Sequence, residues 1–262
     1  MSHSLPPEIL DLIVDHLHDE PATLETCCLT CKSWIHRTRK HLFANIEFRP
    51  PGPNIESWAE TFPDPTNSPA HYTRTLSIHH PHLIESVYAD TISSFCSVVR
   101  LDVITGQRGD ERVTLVSLHR FSPVLRSLRL TFVALPDSEI FDLICSFPLL
   151  EDLEFFPMGL GQRDGQWTTP LTSPRLTGFL DLGLGMEGIQ PITRRLLDLP
   201  NGLRFTTIVV SWLSIQDVIS TTDLVSRCSD TVQSLEVTSY LSGMFPVVSV
   251  SEFSFTTTRR CV

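Results

Sequence analysis

The sequence predicts an α/β chain: a small three-helix unit over residues 1–48, then an irregular α/β solenoid over 73–262 whose strands form a parallel sheet. Three observations predict it. Near the start, Ile9, Leu10, Ile13, Val14 and Leu17 recur at helical spacing. From residue 75 a short L-x-L-like element recurs, and its key leucines, Leu76, Leu101, Leu128, Leu153 and Leu180, lie 25, 27, 25 and 27 residues apart. Helix-like segments separate these elements, and strand–helix alternation argues parallel pairing.

Composition narrows the function classes first. Of 262 residues 41% are hydrophobic and 19% charged, the balance of a folded chain and not a disordered one. The net charge is -10 with no basic stripe, which argues against nucleic acid as a partner. The most apolar run, Phe205 to Leu213, is interrupted by Thr206, Thr207 and Ser211 and falls short of the roughly 20 apolar residues of a membrane helix. Pro6, Pro7 and Glu8 come where a leader would carry its apolar segment, so the sequence predicts neither a signal peptide nor a membrane partner. Seven scattered cysteines read as reduced thiols of a cytoplasmic or nuclear protein.

The first helix begins at Pro6–Pro7, where missing N–H groups cost nothing, with Ser4 as a cap. His18-Asp19-Glu20-Pro21 ends it. A second helix, capped by Thr23, carries Leu24, Cys27, Cys28 and Leu29. A third, about Lys32 to Leu42, shows Trp34, Ile35, Thr38 and Leu42 on one side and Lys32, Arg37, Arg39 and Lys40 on the other. So few residues bury only a small core. Two readings follow: an apolar surface left for a partner, or a helical cap closing one end of a larger core.

The order Leu5-Pro6-x-Glu8, Ile9, Ile13, Leu17, Leu24, Cys28, Lys32-x-Trp34, Leu42-Phe43 resembles the F-box motif, in the version common in mushroom-forming fungi. It departs at Thr30-Cys31, where that motif often has a small apolar or serine pair. The resemblance covers residues 5 to about 46 and implies docking on the Skp adaptor, and through it on a cullin. By position, Leu5, Pro6, Ile9, Leu10 and Ile13 are the residues it places against Skp, and Leu29 and Trp34 contact Skp or shape the contact.

Residues 49–72 read as a linker, with prolines at 50, 51, 53, 63, 65 and 69 and a helical turn at Glu56 to Phe62. Beyond it the repeat begins. A period in the twenties with one short strand per unit is similar to leucine-rich repeats. Leu235 lies 55 residues after Leu180, two periods with a weaker copy near Arg204 to Val210 between. Helices are expected at Ser86–Phe95, Glu111–Phe121, Asp137–Phe147, Ile192–Leu199 and Ile215–Cys228. The Asn or Cys that leucine-rich repeats place after each strand is missing; Val133 and Met158 stand there in two copies, so the solenoid is expected to be irregular. The competing reading is an ordinary α/β domain with coincidental spacing. The run Val247 to Phe255 ends without a polar cap, so the sequence predicts a chain truncated within a repeat.

Catalytic chemistry finds little support. Gly183-x-Gly185-x-x-Gly188 follows a strand, but no acidic residue stands about 20 positions on: Asp198 is too early and Asp217 too late. Cys27, Cys28 and Cys31 offer one pair where structural zinc sites use two. His79-His80-Pro81-His82 reads as a surface loop, and there is no nucleophile elbow, H-E-x-x-H or P-loop. No catalytic, cofactor or metal residue is therefore assigned. The longest insertion, Pro157 to Pro174, is the expected substrate-contact loop through Met158, Arg163 and Trp167. The expected function is a non-enzymatic adaptor of an SCF-type cullin–RING ubiquitin ligase that holds a protein substrate. The alternative is a repeat scaffold without a ubiquitin role; a hydrolase on an α/β sheet is disfavoured by the missing elbow.

Overall fold

The structure is a computed structural model, and it describes residues 6–49, 52, 54–79, 88–104, 115–121, 123–131, 137–156, 174–183, 189–200, 202–212 and 214–239. Eight parallel strands form one sheet, each beside its neighbour in sequence: β1 Asn45–Phe48, β2 Thr75–His79, β3 Arg100–Ile104, β4 Ser127–Thr131, β5 Asp152–Phe156, β6 Phe179–Leu182, β7 Thr207–Trp212 and β8 Ser234–Ser239. Three helices precede the sheet: α1 Pro7–His16, α2 Pro21–Thr30 and α3 Ile35–Leu42, the last entered through a 3-10 turn at Lys32–Trp34. The connections carry α4 Ile55–Thr61, α5 Ala89–Ser93, a 3-10 segment Leu115–Phe121, α6 Asp137–Cys145, α7 Gln190–Leu197 and α8 Ile215–Arg227. None of the described helices is long and apolar enough to cross a membrane.

The repeating leucines are in register. Leu76 pairs with Leu101, then Leu128, Leu153 and Leu180 follow across the sheet, and the weak copy supplies Ile208 before Leu235. Two residues on, a second row runs Ile78, Val103, Leu130, Phe155, Leu182, Val210 and Val237. Side chains alternate across a strand, so both rows point to one face. That face is covered by the connecting segments: Ile92 and Phe95, Leu118 and Phe121, Ile140, Phe141 and Ile144, Ile192 and Leu196, and Leu224 share one core with it. Each fully buried leucine contributes roughly 1.5–3 kcal/mol, so the rows hold the sheet together.

Successive units are also joined ahead of their strands. One carbonyl accepts two N–H groups from the next unit: Ala44 from Arg74 and Thr75, Arg74 from Val99 and Arg100, Val99 from Arg126 and Ser127, Arg126 from Glu151 and Asp152. The pattern returns at Gly178, which accepts from Thr206 and Thr207, and at Thr206, which accepts from Gln233 and Ser234. Backbone groups thus satisfy these turns among themselves. Gly178 is required at its place: a Cβ there would lie 2.0 Å from Asp152 Oδ1, the oxygen that accepts the Phe179 N–H at 2.8 Å.

Two expectations need correction. The helical unit does not end the N-terminal region by itself, because residues 45–48 are the first strand of the sheet, paired with β2. Nor are residues 49–72 a plain linker. Asn54 caps α4 through Ser57, and Ile55, Trp58 and Ala70 are buried in the sheet's core. Trp58 meets Phe43 and Phe48 edge-on and Phe62 and Phe95 at a tilt, with ring centroids 4.8–5.9 Å apart, and its Nε1–H donates to Ser68 Oγ at 3.3 Å. Of the prolines that are described, Pro65 and Pro69 open the 3-10 turns Pro65–Asn67 and Pro69–Tyr72. Pro21 likewise opens α2, with Glu20 and not Thr23 at its cap position. The terminal run Val247 to Phe255 lies outside the described residues.

Candidate functional site: the outer face of the helical unit

The three N-terminal helices bury a core of their own. Val14 of α1, Leu24 and Cys27 of α2 and Thr38 of α3 are buried. Thr38 Oγ1 donates to the Trp34 carbonyl at 2.7 Å and lies 2.8 Å from Cys28 Sγ, which ties α3 to α2. Asp15 ties α3 to α1: Arg37 donates Nε–H to Oδ1 at 2.6 Å and its NH2 to Oδ2, and His41 Nε2 lies 2.7 Å from Oδ1. The Arg37 guanidinium holds the Asp15 carboxyl well below the usual carboxylate range, against some desolvation and with help from His41.

With that core closed, the outer side of α1 is left apolar. Ile9 is 43% exposed, Leu12 55% and Ile13 41%, and Leu29 near the end of α2 is 90% exposed. Leu10 and Trp34 are half-buried and Pro6 is exposed. The expected contact residues therefore divide. Ile9, Ile13, Leu29 and Pro6 are on the surface, while Leu10 and Trp34 help support it; Leu5 lies outside the described residues. Trp34 Nε1 is buried and finds no partner among the described residues. The sequence pattern does not single out Leu12, because Ile9, Leu10, Ile13, Val14 and Leu17 read as one stripe that leaves it aside. The helix instead turns Val14 inward and leaves Ile9, Leu12 and Ile13 out.

The sheet's other face is the second surface. Across it runs one row of register partners, Glu47, Ser77, Asp102, Arg129, Glu154, Asp181, Val209 and Glu236. Arg100 bridges Asp102 at 3.2 Å and Glu154 at 3.0 Å, Arg129 lies 3.3 Å from Glu154, and His79 pairs with Glu47 at 3.0 Å. Asp181 makes neither a hydrogen bond nor a salt bridge among the described residues. Burial, and then the neighbouring Glu154, push its carboxyl up to about 6.

The remaining sequence candidates are placed as follows. Gly183 is buried, and a Cβ there would meet the Phe156 ring at 1.9 Å; Gly185 and Gly188 lie outside the described residues. Cys31 Sγ lies 2.9 Å from Ser33 Oγ, which lowers its thiol. No three His, Cys, Asp or Glu side chains gather as a metal ion requires among the described residues. Met158, Arg163 and Trp167 lie outside them. No protein-family model, curated protein or solved structure matches the chain.

Proposed function

We propose that the chain is a substrate-recognition adaptor of an SCF-type cullin–RING ubiquitin ligase. Its helical unit is F-box-like and docks on Skp, and its parallel sheet is an irregular leucine-rich-repeat-like solenoid that holds a protein substrate. The observation that carries the reading is the apolar outer face of α1 and α2. Ile9, Leu12, Ile13 and Leu29 are exposed although Val14, Leu24 and Cys27 already supply the unit's core. Contiguous exposed apolar side chains mark interaction surfaces, and a helix laying such a face into a partner groove is a recurrent recognition mode. The in-register ladder from Leu76 to Leu235 supports the solenoid. The adaptor does no bond chemistry; it raises the effective concentration of a substrate beside the ligase. The place of action is the cytoplasm or nucleus.

The test is co-purification of Skp with the intact chain and with the Ile9→Asp/Ile13→Asp variant. Recovery with the intact chain and loss with the variant is the expected result; equal recovery, or none with either, sinks the reading. One observation favours the scaffold alternative. The helical unit runs directly into β1, and Phe43 packs edge-on against Trp58 of the sheet's core, as a cap would. That alternative predicts a stable chain with no Skp binding at all.

A further inference from the structure

Between α3 and the 3-10 turn Pro69–Tyr72 lies a cavity of about 320 Å³. Its wall carries His36, Lys40 and His41 from α3, His71 and Tyr72 from the turn, and Arg74 from the residue before β2. Every ionisable side chain in that wall except Tyr72 is basic, in a chain with 30 acidic and 20 Lys or Arg residues. Among the described residues no carboxylate lines it. Asp15, which pairs with His41, is already gripped by Arg37.

The two permanent cations are not spent. Lys40 makes no ion pair among the described residues, and Arg74 makes only a long hydrogen bond, 3.4 Å, to the Ser97 carbonyl. His71 donates Nδ1–H to the Ser68 carbonyl at 2.8 Å, which fixes its ring, and its Nε2 donates to an anion only in the imidazolium form. The Tyr72 ring is braced by two imidazoles, His71 at 3.9 Å and, edge-on, His36 at 5.3 Å. Like charges gathered around one hollow repel, and an anion between them converts that repulsion into attraction. Arg and Lys are the side chains that recognise phosphate oxygens. The volume is at the low end of the roughly 300–1,000 Å³ of small-molecule pockets, so the anion it fits is compact.

We propose that this cavity is a binding site for a small, multiply charged phosphate anion, held by Lys40 and Arg74 with His36 and His71 completing the shell. Bound there, it ties α3 to the segment leading into β2 and so joins the helical unit to the sheet. The site is independent of the adaptor reading and stands or falls without Skp.

The test is calorimetric titration of the full chain with inorganic pyrophosphate at 150 mM salt. Three variants accompany it: Lys40→Gln/Arg74→Gln, Lys40→Gln alone, and Arg194→Gln/Arg227→Gln, which removes two exposed cations from α7 and α8. The expected result is saturable one-to-one binding that weakens tenfold or more in the first variant and at least threefold in the second. The third leaves it unchanged. Lys40 and Arg74 are exposed, so their loss spares the core; circular dichroism checks this, and Lys40→Gln alone carries the test if the double variant misfolds. Absence of saturable binding to the folded chain, binding undiminished by the Lys40 and Arg74 changes, or an equal loss in the Arg194/Arg227 variant overturns the proposal.

Discussion

Arg37 on α3 holds Asp15 on α1 with two donors, Nε–H at 2.6 Å from Oδ1 and NH2 against Oδ2, and the two residues are 22 positions apart. This is the main polar tie between the first and third helices. Bidentate Arg–carboxylate pairs are stronger than single ion pairs, but this one is about a third exposed, so solvent screens it. We expect Asp15→Ala to lower stability by about 1 kcal/mol after that discount, measured by denaturant unfolding at pH 7. The Asp15 carboxyl is held below its unfolded value, chiefly by Arg37. Its contribution is therefore fully present above the ordinary carboxylate pKa and fades as pH falls toward the lower, folded value. The gap between wild type and Asp15→Ala should close progressively below pH 4; a gap that stays constant down to pH 2 contradicts the assignment.

Asp181 behaves in the opposite sense. It sits between Glu154 and Val209 in register, with Glu236 one strand further, and only the nearby charge of Arg129 works against its burial among the described residues. Its carboxyl is pushed up to about 6 from 3.8, first by burial and then by Glu154. A raised folded pKa means that the ionised form is penalised in the folded state. That penalty is fully present above about pH 6 and disappears as pH falls to the unfolded value. Asp181→Asn should stabilise the chain by about 1 kcal/mol at pH 7.5, allowing for its partial exposure, and by nothing at pH 4. Thermal melts at the two pH values decide it; a variant less stable than wild type at pH 7.5 means the carboxylate has a favourable partner.

Asp217 is the buried carboxylate that sequence reasoning dismissed as too far from the glycine loop. It accepts the Ile189 N–H on Oδ1 at 2.9 Å and the Ser214 N–H on Oδ2 at 2.9 Å, and so joins the start of α7 to the cap of α8. Removing it orphans two N–H groups, one of them in a buried residue. Loss of a cap costs about 1 kcal/mol and a buried unsatisfied donor about 1–3 kcal/mol more. Asp217→Ala should therefore lose about 2–4 kcal/mol in denaturant unfolding, and Asp217→Asn less. A loss under 1 kcal/mol shows that water replaces the carboxylate.

The legible part of the fold was the part that repeats. Leu76, Leu101, Leu128, Leu153 and Leu180 kept their spacing because each must fill the same position of a parallel ladder, where a one-residue slip would turn the strand's core residues outward. Strand β1 was hidden because Asn45–Phe48 offers only Ile46 and Phe48 as apolar signals, directly after a helix. The Pro-rich segment was misread because prolines mark turns equally in linkers and in packed loops. What decides between them is Trp58, whose four aromatic partners come from four separate places in the chain. The candidate site was half legible. Ile9 and Ile13 are legible in the spacing, but α1 is apolar at 9, 10, 12, 13 and 14, which covers more than half of its circumference. Periodicity cannot orient such a helix; the Asp15–Arg37 tie does, by fixing which side meets α3.

That orientation makes a last prediction, on Leu24 and Leu29. They lie on the same helix five residues apart, one 1% and the other 90% exposed. Truncating a buried leucine costs about 2–5 kcal/mol, transfer and cavity together, so Leu24→Ala should strongly destabilise the helical unit. Leu29→Ser removes apolar surface that is already in water, and its effect on unfolding should stay within about 0.5 kcal/mol. Concentration-dependent light scattering of the isolated chain should fall in Leu29→Ser, because a solvent-facing leucine promotes self-association only while no partner covers it. If Leu29→Ser destabilises as much as Leu24→Ala, that leucine belongs to the chain's own core, and the outer face of α1 and α2 is not free for a partner.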